Sequence, residues 1–129
     1  MHTVLVTSNG YAFKASSEDF DFMMDGKGMI GMSPSGALLA SLGGCVSLYI
    51  RKYADSTKLA IKEINVTVES DFAKEPVIHF KEIKIKIDLP GFKFEDERRK
   101  QAFLNFIGNC PVHNTLEHKP KVVVEVKER

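Results

Sequence analysis

One weakly charged stretch in the middle of the chain limits the folds open to it. It spans residues 28–50, and Ser33-Pro34 within it pairs a good helix N-cap residue with the residue favoured at the first helical position. The apolar residues that follow recur at intervals of three and four: Leu38, Leu42, Val46, Tyr49, Ile50 and Tyr53. This spacing predicts a helix over about residues 34–55. Because few charges precede Arg51, we expect most of its circumference to be buried.

Short alternating strands are predicted before this helix, at residues 4–6, 11–13 and 20–22. Asn9-Gly10 between the first two is a strong signal for a tight hairpin. Together they predict an antiparallel meander with one face buried.

Two more strands are predicted after the helix. Residues 61–68 form the first, and Ile83, Ile85 and Ile87 alternate with charged residues in the second. A second helix fits residues 95–107 with Gly108 as its C-cap, and residues 122–126 fit a last strand. The order βββ-α-ββ-α-β predicts an α+β fold, and we expect a single domain over residues 1–129.

Composition excludes several classes of function. Lys and Arg number 18 against 17 for Asp and Glu, so charge gives no reason to expect a nucleic acid or a membrane as partner. Pro34 and five glycines make residues 28–50 a poor transmembrane span. The first residues lack the basic and apolar regions of a signal peptide, so we expect a soluble, cytoplasmic protein.

The two cysteines are the residues most suited to chemistry. Cys45 follows Leu38 by seven residues and lies on the apolar side of the helix, where a free cysteine is usually an inert core thiol. Cys110 precedes Pro111, near a helix N-terminus whose backbone N–H groups would lower a thiol pKa. His113 could add positive charge or move a proton. The alternative is that Cys110 merely caps a turn.

Two kinds of ligand site are alternatives to this thiol hypothesis. Cys110, His113 and His118, with Cys45 from elsewhere, could supply two sulfur and two nitrogen metal ligands, but no paired Cys-x2-Cys element is present. We therefore predict no metal.

Residues 26–31 read G-x-G-x-x-G, but the helix opens after the motif, at Pro34. A flexible loop is the better interpretation, and we predict no dinucleotide. The methionines around this loop suit either plain core filling or an apolar binding surface: Met23, Met24, Met29 and Met32.

Residues 33–45 and, far downstream, residues 109–116 resemble the two cysteine motifs of the OsmC/organic hydroperoxide resistance family. The resemblance covers nearly the whole chain. It implies an α+β fold with a long buried central helix, completed only as an intertwined homodimer with two sites at the subunit interface.

The same resemblance implies a two-cysteine thiol peroxidase that acts on small organic hydroperoxides in oxidative stress defence. Cys45 would be the peroxidatic nucleophile and Cys110 the resolving thiol. An external dithiol would reduce the resulting disulfide, and no metal, flavin or haem cofactor is implied.

The chain departs from the peroxidase members of the family at two points. They carry glutamate where this chain has Ser35, and an arginine in the N-terminal strand region, where this chain has none. Thiolate tuning by Arg51, Lys52 or His113 across a dimer is one hypothesis. The alternative function is a non-catalytic redox sensor or a protein that binds a small apolar ligand.

Overall fold

The structure, a computed structural model, describes residues 1–128. The chain divides into two compact units, Met1–Ser41 and a second unit that begins at Leu42. The boundary falls inside the long helix, so each unit is described by itself. The expectation of a single domain stays a prediction.

The first unit contains the predicted meander. Strands β1 (Leu5–Asn9), β2 (Ala12–Ser17) and β3 (Phe20–Asp25) form an antiparallel sheet in the order β1-β2-β3. Asn9 pairs with Ala12, which leaves Gly10 and Tyr11 as a two-residue loop. Gly10 has φ +69°, as a type II′ hairpin turn requires at its first central position.

The expectation that one face of this sheet is buried was wrong. Ala15 and Asp25 are its only buried residues, and Phe20 is 82% exposed. A sheet buries a face only against a second layer, and the first unit contains no such layer.

The loop after β3 is organised by one carboxylate. Asp25 accepts hydrogen bonds from the backbone N–H groups of Lys27, Met29 and Ile30, at 2.8, 3.2 and 3.1 Å. A Cβ on Gly31 would lie 2.5 Å from a backbone oxygen, so the loop needs glycine there. The glycine-rich segment is therefore a hydrogen-bonded turn. Its tip is apolar and exposed at Met29, which does not fill the core of this unit.

Helix α1 (Pro34–Thr57) agrees closely with the prediction. The Ser33 hydroxyl accepts a hydrogen bond from the N–H of Gly36 at 3.0 Å, as an N-cap does. Within a single chain, only part of the expected burial of its circumference is present. One stripe is buried, consisting of Leu42, Val46, Ile50 and Ala54, and the other side leaves Leu48 52% exposed. A helix that packs on one layer covers only the side that faces that layer.

The second unit holds the hydrophobic core. Strands β4 (Asn65–Ala73) and β5 (His79–Asp88) pair antiparallel, and helices α2 (Glu97–Ile107) and α3 (Pro111–His118) follow. Strand β4 begins later than predicted, so Ile61 is a core residue that precedes it. The core consists of Leu42, Val46, Ile50, Ala54, Ile61, Phe103, Ile107 and Cys110.

The predicted strand at residues 122–126 does not form, and its valines are exposed. A strand needs a neighbour with free backbone groups, and within residues 1–128 nothing pairs with this segment. In the same part of the chain, no helix combines the length and apolar character needed to cross a membrane.

Candidate thiol site

Cys110 is the N-cap residue of α3, as the sequence suggested. Its backbone is extended (φ −68°, ψ 141°), Pro111 follows at the start of the helix, and its Sγ accepts the N–H of His113 at 3.3 Å. Its side chain is completely buried. The local sequence therefore places a sulfur where helices usually place a hydroxyl or carboxylate.

The helix N-terminus acts on Cys110 in the expected direction, but the expectation of a lowered pKa was wrong. Burial raises its pKa above the ordinary value, and the backbone N–H groups of His113 and Val112 offset this only in part. Withdrawal from water penalises a thiolate, and here that penalty outweighs the hydrogen bonds that favour it.

Cys45 lies next to Cys110. It is half-buried on α1 and packs against the core, and both cysteines are free thiols. After burial, the nearby Cys45 thiol is a further cause that raises the pKa of Cys110. The structure thus brings together the two residues that the sequence singled out, from two helices that are far apart in the chain.

Gly43 helps to place Cys45. A Cβ on Gly43 would meet the side chain of Val68 at 3.1 Å, so glycine allows β4 to approach α1 just before the cysteine. Gly44 differs, because a Cβ there would meet nothing within 4 Å in this chain.

A cavity of about 370 Å³ lies next to the helical turns that carry the two cysteines. Its apolar lining consists of Leu42, Phe80, Ile83, Ile85 and Leu116, and its polar lining of Lys81, Glu82, His113 and Glu117. Leu42 is one helical turn before Cys45, and His113 is one turn after Cys110. Sequence reasoning missed this cavity. The alternation in β5 signalled an inward face but could not show that the packing leaves a gap.

The side chains of His113 and Arg51, suggested as thiolate tuners, form hydrogen bonds or ion pairs with other groups of this chain. The imidazole of His113 contacts Glu117, with Nε2 3.0 Å from Oε1, and reaches Cys110 only through its backbone N–H. Arg51 pairs with Asp55 at 3.5 Å and donates to the carbonyl of Lys62. Both side chains are engaged within this chain, and their roles stay predictions.

The described part of the chain contains no cluster of side chains suited to bind a metal ion. No group of three or more His, Cys, Asp or Glu side chains lies close enough there to hold an ion. The neighbouring sulfurs, a buried helix cap and an apolar cavity form instead an arrangement suited to thiol chemistry on a small molecule.

The sequence and the fold of this chain both resemble those of known proteins. Residues 25–125 match the family model described as OsmC-like protein, whereas no curated protein matches the chain in sequence. An OsmC-like protein from Mycoplasma pneumoniae superposes with a TM-score of 0.79 at 21% identity, covering 92% of this chain and 89% of that chain.

Two solved structures of hydroperoxide resistance proteins share the fold. The organic hydroperoxide resistance protein OhrB of Bacillus subtilis has a TM-score of 0.66 at 17% identity, covering 91% of this chain and 92% of its own. An organic hydroperoxide resistance protein OsmC from Legionella pneumophila has 0.65 at 16%, covering 90% of each chain. The family match spans β5 and all three helices, including both cysteines. This chain belongs to the OsmC-like protein family.

Proposed function

We propose that this chain is a thiol-dependent peroxidase that reduces small organic hydroperoxides through Cys45 and Cys110. The observation that carries the proposal is that two free thiols of unequal exposure belong to one hydrophobic cluster, Cys45 half-buried and Cys110 fully buried. The family match and the names of the two hydroperoxide resistance relatives support the same chemistry.

The unequal exposure suggests how the roles divide. The thiolate of Cys45 attacks the outer oxygen of the hydroperoxide, the O–O bond breaks, and a sulfenic acid forms on Cys45 as the alkoxide leaves. The raised pKa of Cys110 keeps that residue a neutral thiol until then. Its thiol then condenses with the sulfenic acid, releasing water and forming a disulfide. An external dithiol restores both thiols as it becomes a disulfide itself.

The proposal includes a homodimer that acts in the cytoplasm. Apolar surface that a single chain leaves exposed supports a second copy as the partner, notably Leu48 on α1 and the valines of residues 122–126. A reducing compartment suits an enzyme that must return both cysteines to thiols.

Stopped-flow oxidation of the reduced protein by tert-butyl hydroperoxide tests the proposal. We expect rapid disulfide formation in the wild type, arrest at a sulfenic acid in C110S, and no reaction beyond background in C45S. If the wild type reacts no faster than a free thiol in solution, the peroxidase assignment is wrong.

The cavity supports a second candidate, a protein that binds a small apolar ligand and uses its cysteines only to sense oxidation. Five apolar side chains line a space large enough for a small molecule. Binding of a non-peroxide analogue such as tert-butanol or a short fatty acid, with slow thiol oxidation, would favour this candidate over the first.

A further inference from the structure

His113 and Glu117 form a pair that the thiol chemistry described above does not use. Both line the cavity beside the cysteines, and both lie on α3, one turn apart. Nε2 of His113 is 3.0 Å from the Glu117 carboxylate, and within residues 1–128 this is the only hydrogen bond of the ring. Nδ1 therefore remains free to face a bound molecule.

The position of His113 ties it to the reacting sulfurs. Its backbone N–H donates to Sγ of Cys110, and Cys110 is the neighbour of Cys45. A molecule in the cavity consequently lies beside the imidazole and against apolar side chains such as Phe80 and Leu116, one helical turn from Cys110.

The other charges at the cavity are few. Strand β5 contributes Lys81 and Glu82, one of each sign, and α1 contributes only the apolar Leu42. On α3 itself the charged neighbour is Glu117, whose side chain is 65% exposed. Of the side chains at this cavity, His113 is therefore the one suited by type to donate a proton near neutral pH.

We propose that His113, oriented by Glu117, donates a proton to the alkoxide that leaves when an alkyl hydroperoxide reacts in this cavity. This inference rests on the proposed peroxidase function and names its substrate class, hydroperoxides whose leaving group is a strong base.

In this step the Cys45 sulfur bonds to the outer oxygen of the hydroperoxide as the O–O bond breaks. The electron pair of that bond goes to the inner oxygen, which takes the proton from the protonated imidazole and leaves as a neutral alcohol. The neutral imidazole then regains a proton from water. Sulfur is oxidised by two electrons, the peroxide is reduced by two, and no further reactant is needed.

Peroxides with different leaving groups test this role. Loss of tert-butoxide benefits from protonation, whereas peracetic acid releases acetate, a weak base that needs none. We expect H113Q to lower the second-order rate constant for tert-butyl hydroperoxide by about 100-fold, the lower range for general acid catalysis, and to change that for peracetic acid by less than about threefold. E117Q should show the same selectivity to a smaller extent.

The controls separate this role from a structural one. H118Q alters the other histidine of α3, which is exposed in the last turn, and should leave both rate constants unchanged. Equal losses with both peroxides in H113Q would overturn the proposal, because they would mean that His113 affects the thiols or the fold. If H113Q does not fold, an unselective E117Q overturns it. A wild type that is slow with both peroxides contradicts the proposed function instead, so the two failures are distinguishable.

Discussion

The two compact units of this chain are stabilised in different ways. In Met1–Ser41 the secondary structure is regular, yet only Ala15 and Asp25 are buried, and hydrogen bonds in the sheet and around Asp25 supply most of the order. The second unit has fewer strands but buries eight side chains in one cluster. A regular sheet therefore does not imply a core, and hydrogen bonds exchanged with water add little net stability compared with apolar burial.

The largest expected difference between the units concerns phenylalanine. Phe103 is 2% exposed and packs against the rings of Tyr53 and Phe94, so Phe103→Ala should cost about 3–5 kcal/mol of unfolding free energy. Phe20→Ala, in the first unit, should cost less than about 0.5 kcal/mol, since Phe20 is exposed. Urea unfolding followed by circular dichroism measures both. Equal losses would mean that Phe20 is covered in solution.

Backbone crowding gives the next largest effect. Gly31→Ala places a Cβ 2.5 Å from the backbone oxygen of Met23, and we expect a loss of about 1–3 kcal/mol. The matched control, Gly44→Ala, fills open space in a helix and should gain up to roughly 1 kcal/mol. Thermal unfolding midpoints of the two variants should move in opposite directions. A loss of stability in Gly44→Ala would indicate that another chain packs there.

Helix caps should contribute similarly in both units. Ser33 accepts the N–H of Gly36 at 3.0 Å, and Asp96 accepts that of Arg99 at 2.8 Å. Ser33→Ala and Asp96→Ala should each cost about 1 kcal/mol. Amide hydrogen exchange at the first turn of each helix checks this. Faster exchange spread over the second unit in Asp96→Ala, rather than confined to α2, would contradict a purely local role.

At acidic pH the first unit should weaken through Asp25. The N–H of Lys27, followed by those of Ile30 and Met29, holds the pKa of Asp25 below its usual value against the opposing effect of burial. Asp25 therefore stabilises the folded state above its unfolded pKa of about 3.9, and this stabilisation is lost as pH falls through the lower folded pKa. Unfolding measured from pH 6 to about pH 2 should show that Asp25→Asn has a weaker acid dependence. If the unfolding free energy of Asp25→Asn depends on pH as that of the wild type does, Asp25 is not the source of the acid dependence.

At alkaline pH the second unit should weaken instead. Burial, above all, raises the pKa of Cys110. The neutral thiol stabilises the folded state below the unfolded pKa of about 8.5, and that stabilisation is lost as pH rises through the folded value. Cys110→Ala should abolish this loss of unfolding free energy at alkaline pH. Cys45→Ala removes one cause of the raised pKa of Cys110 and should therefore reduce the loss in part. If the unfolding free energy of Cys110→Ala, measured by urea unfolding, still falls as strongly at alkaline pH, this explanation is wrong.

The sequence predicted best what local residues decide. Ser33-Pro34 and the apolar spacing placed α1 closely, the alternation of Ile83, Ile85 and Ile87 placed β5, and Pro111 marked the helix that Cys110 caps. These features depend on neighbours in the chain, whose propensities can be read directly.

What failed depends on contacts that a pattern does not specify. The apolar residues at 122–126 predicted a strand that does not form, because such a pattern records a preference for burial but does not identify the neighbour that would cover it. For the same reason, the pattern of α1 could not show that a single chain buries only one stripe of the helix. The same limit explains Cys110. Its cap geometry is local and was predicted, whereas the burial that raises its pKa depends on how Cys45 and the core pack around it.

The sulfur cap of α3 also has a consequence for how the protein can be observed. A hydroxyl that caps a helix keeps the same acceptor strength under most conditions. A capping sulfur does not, because a thiolate is a stronger acceptor than a thiol, and alkylation or oxidation changes its acceptor strength again. The amide proton of His113, bonded to that sulfur at 3.3 Å, therefore senses the chemical state of Cys110. Its chemical shift gives a built-in spectroscopic reporter of the thiol, read from one backbone resonance without a label.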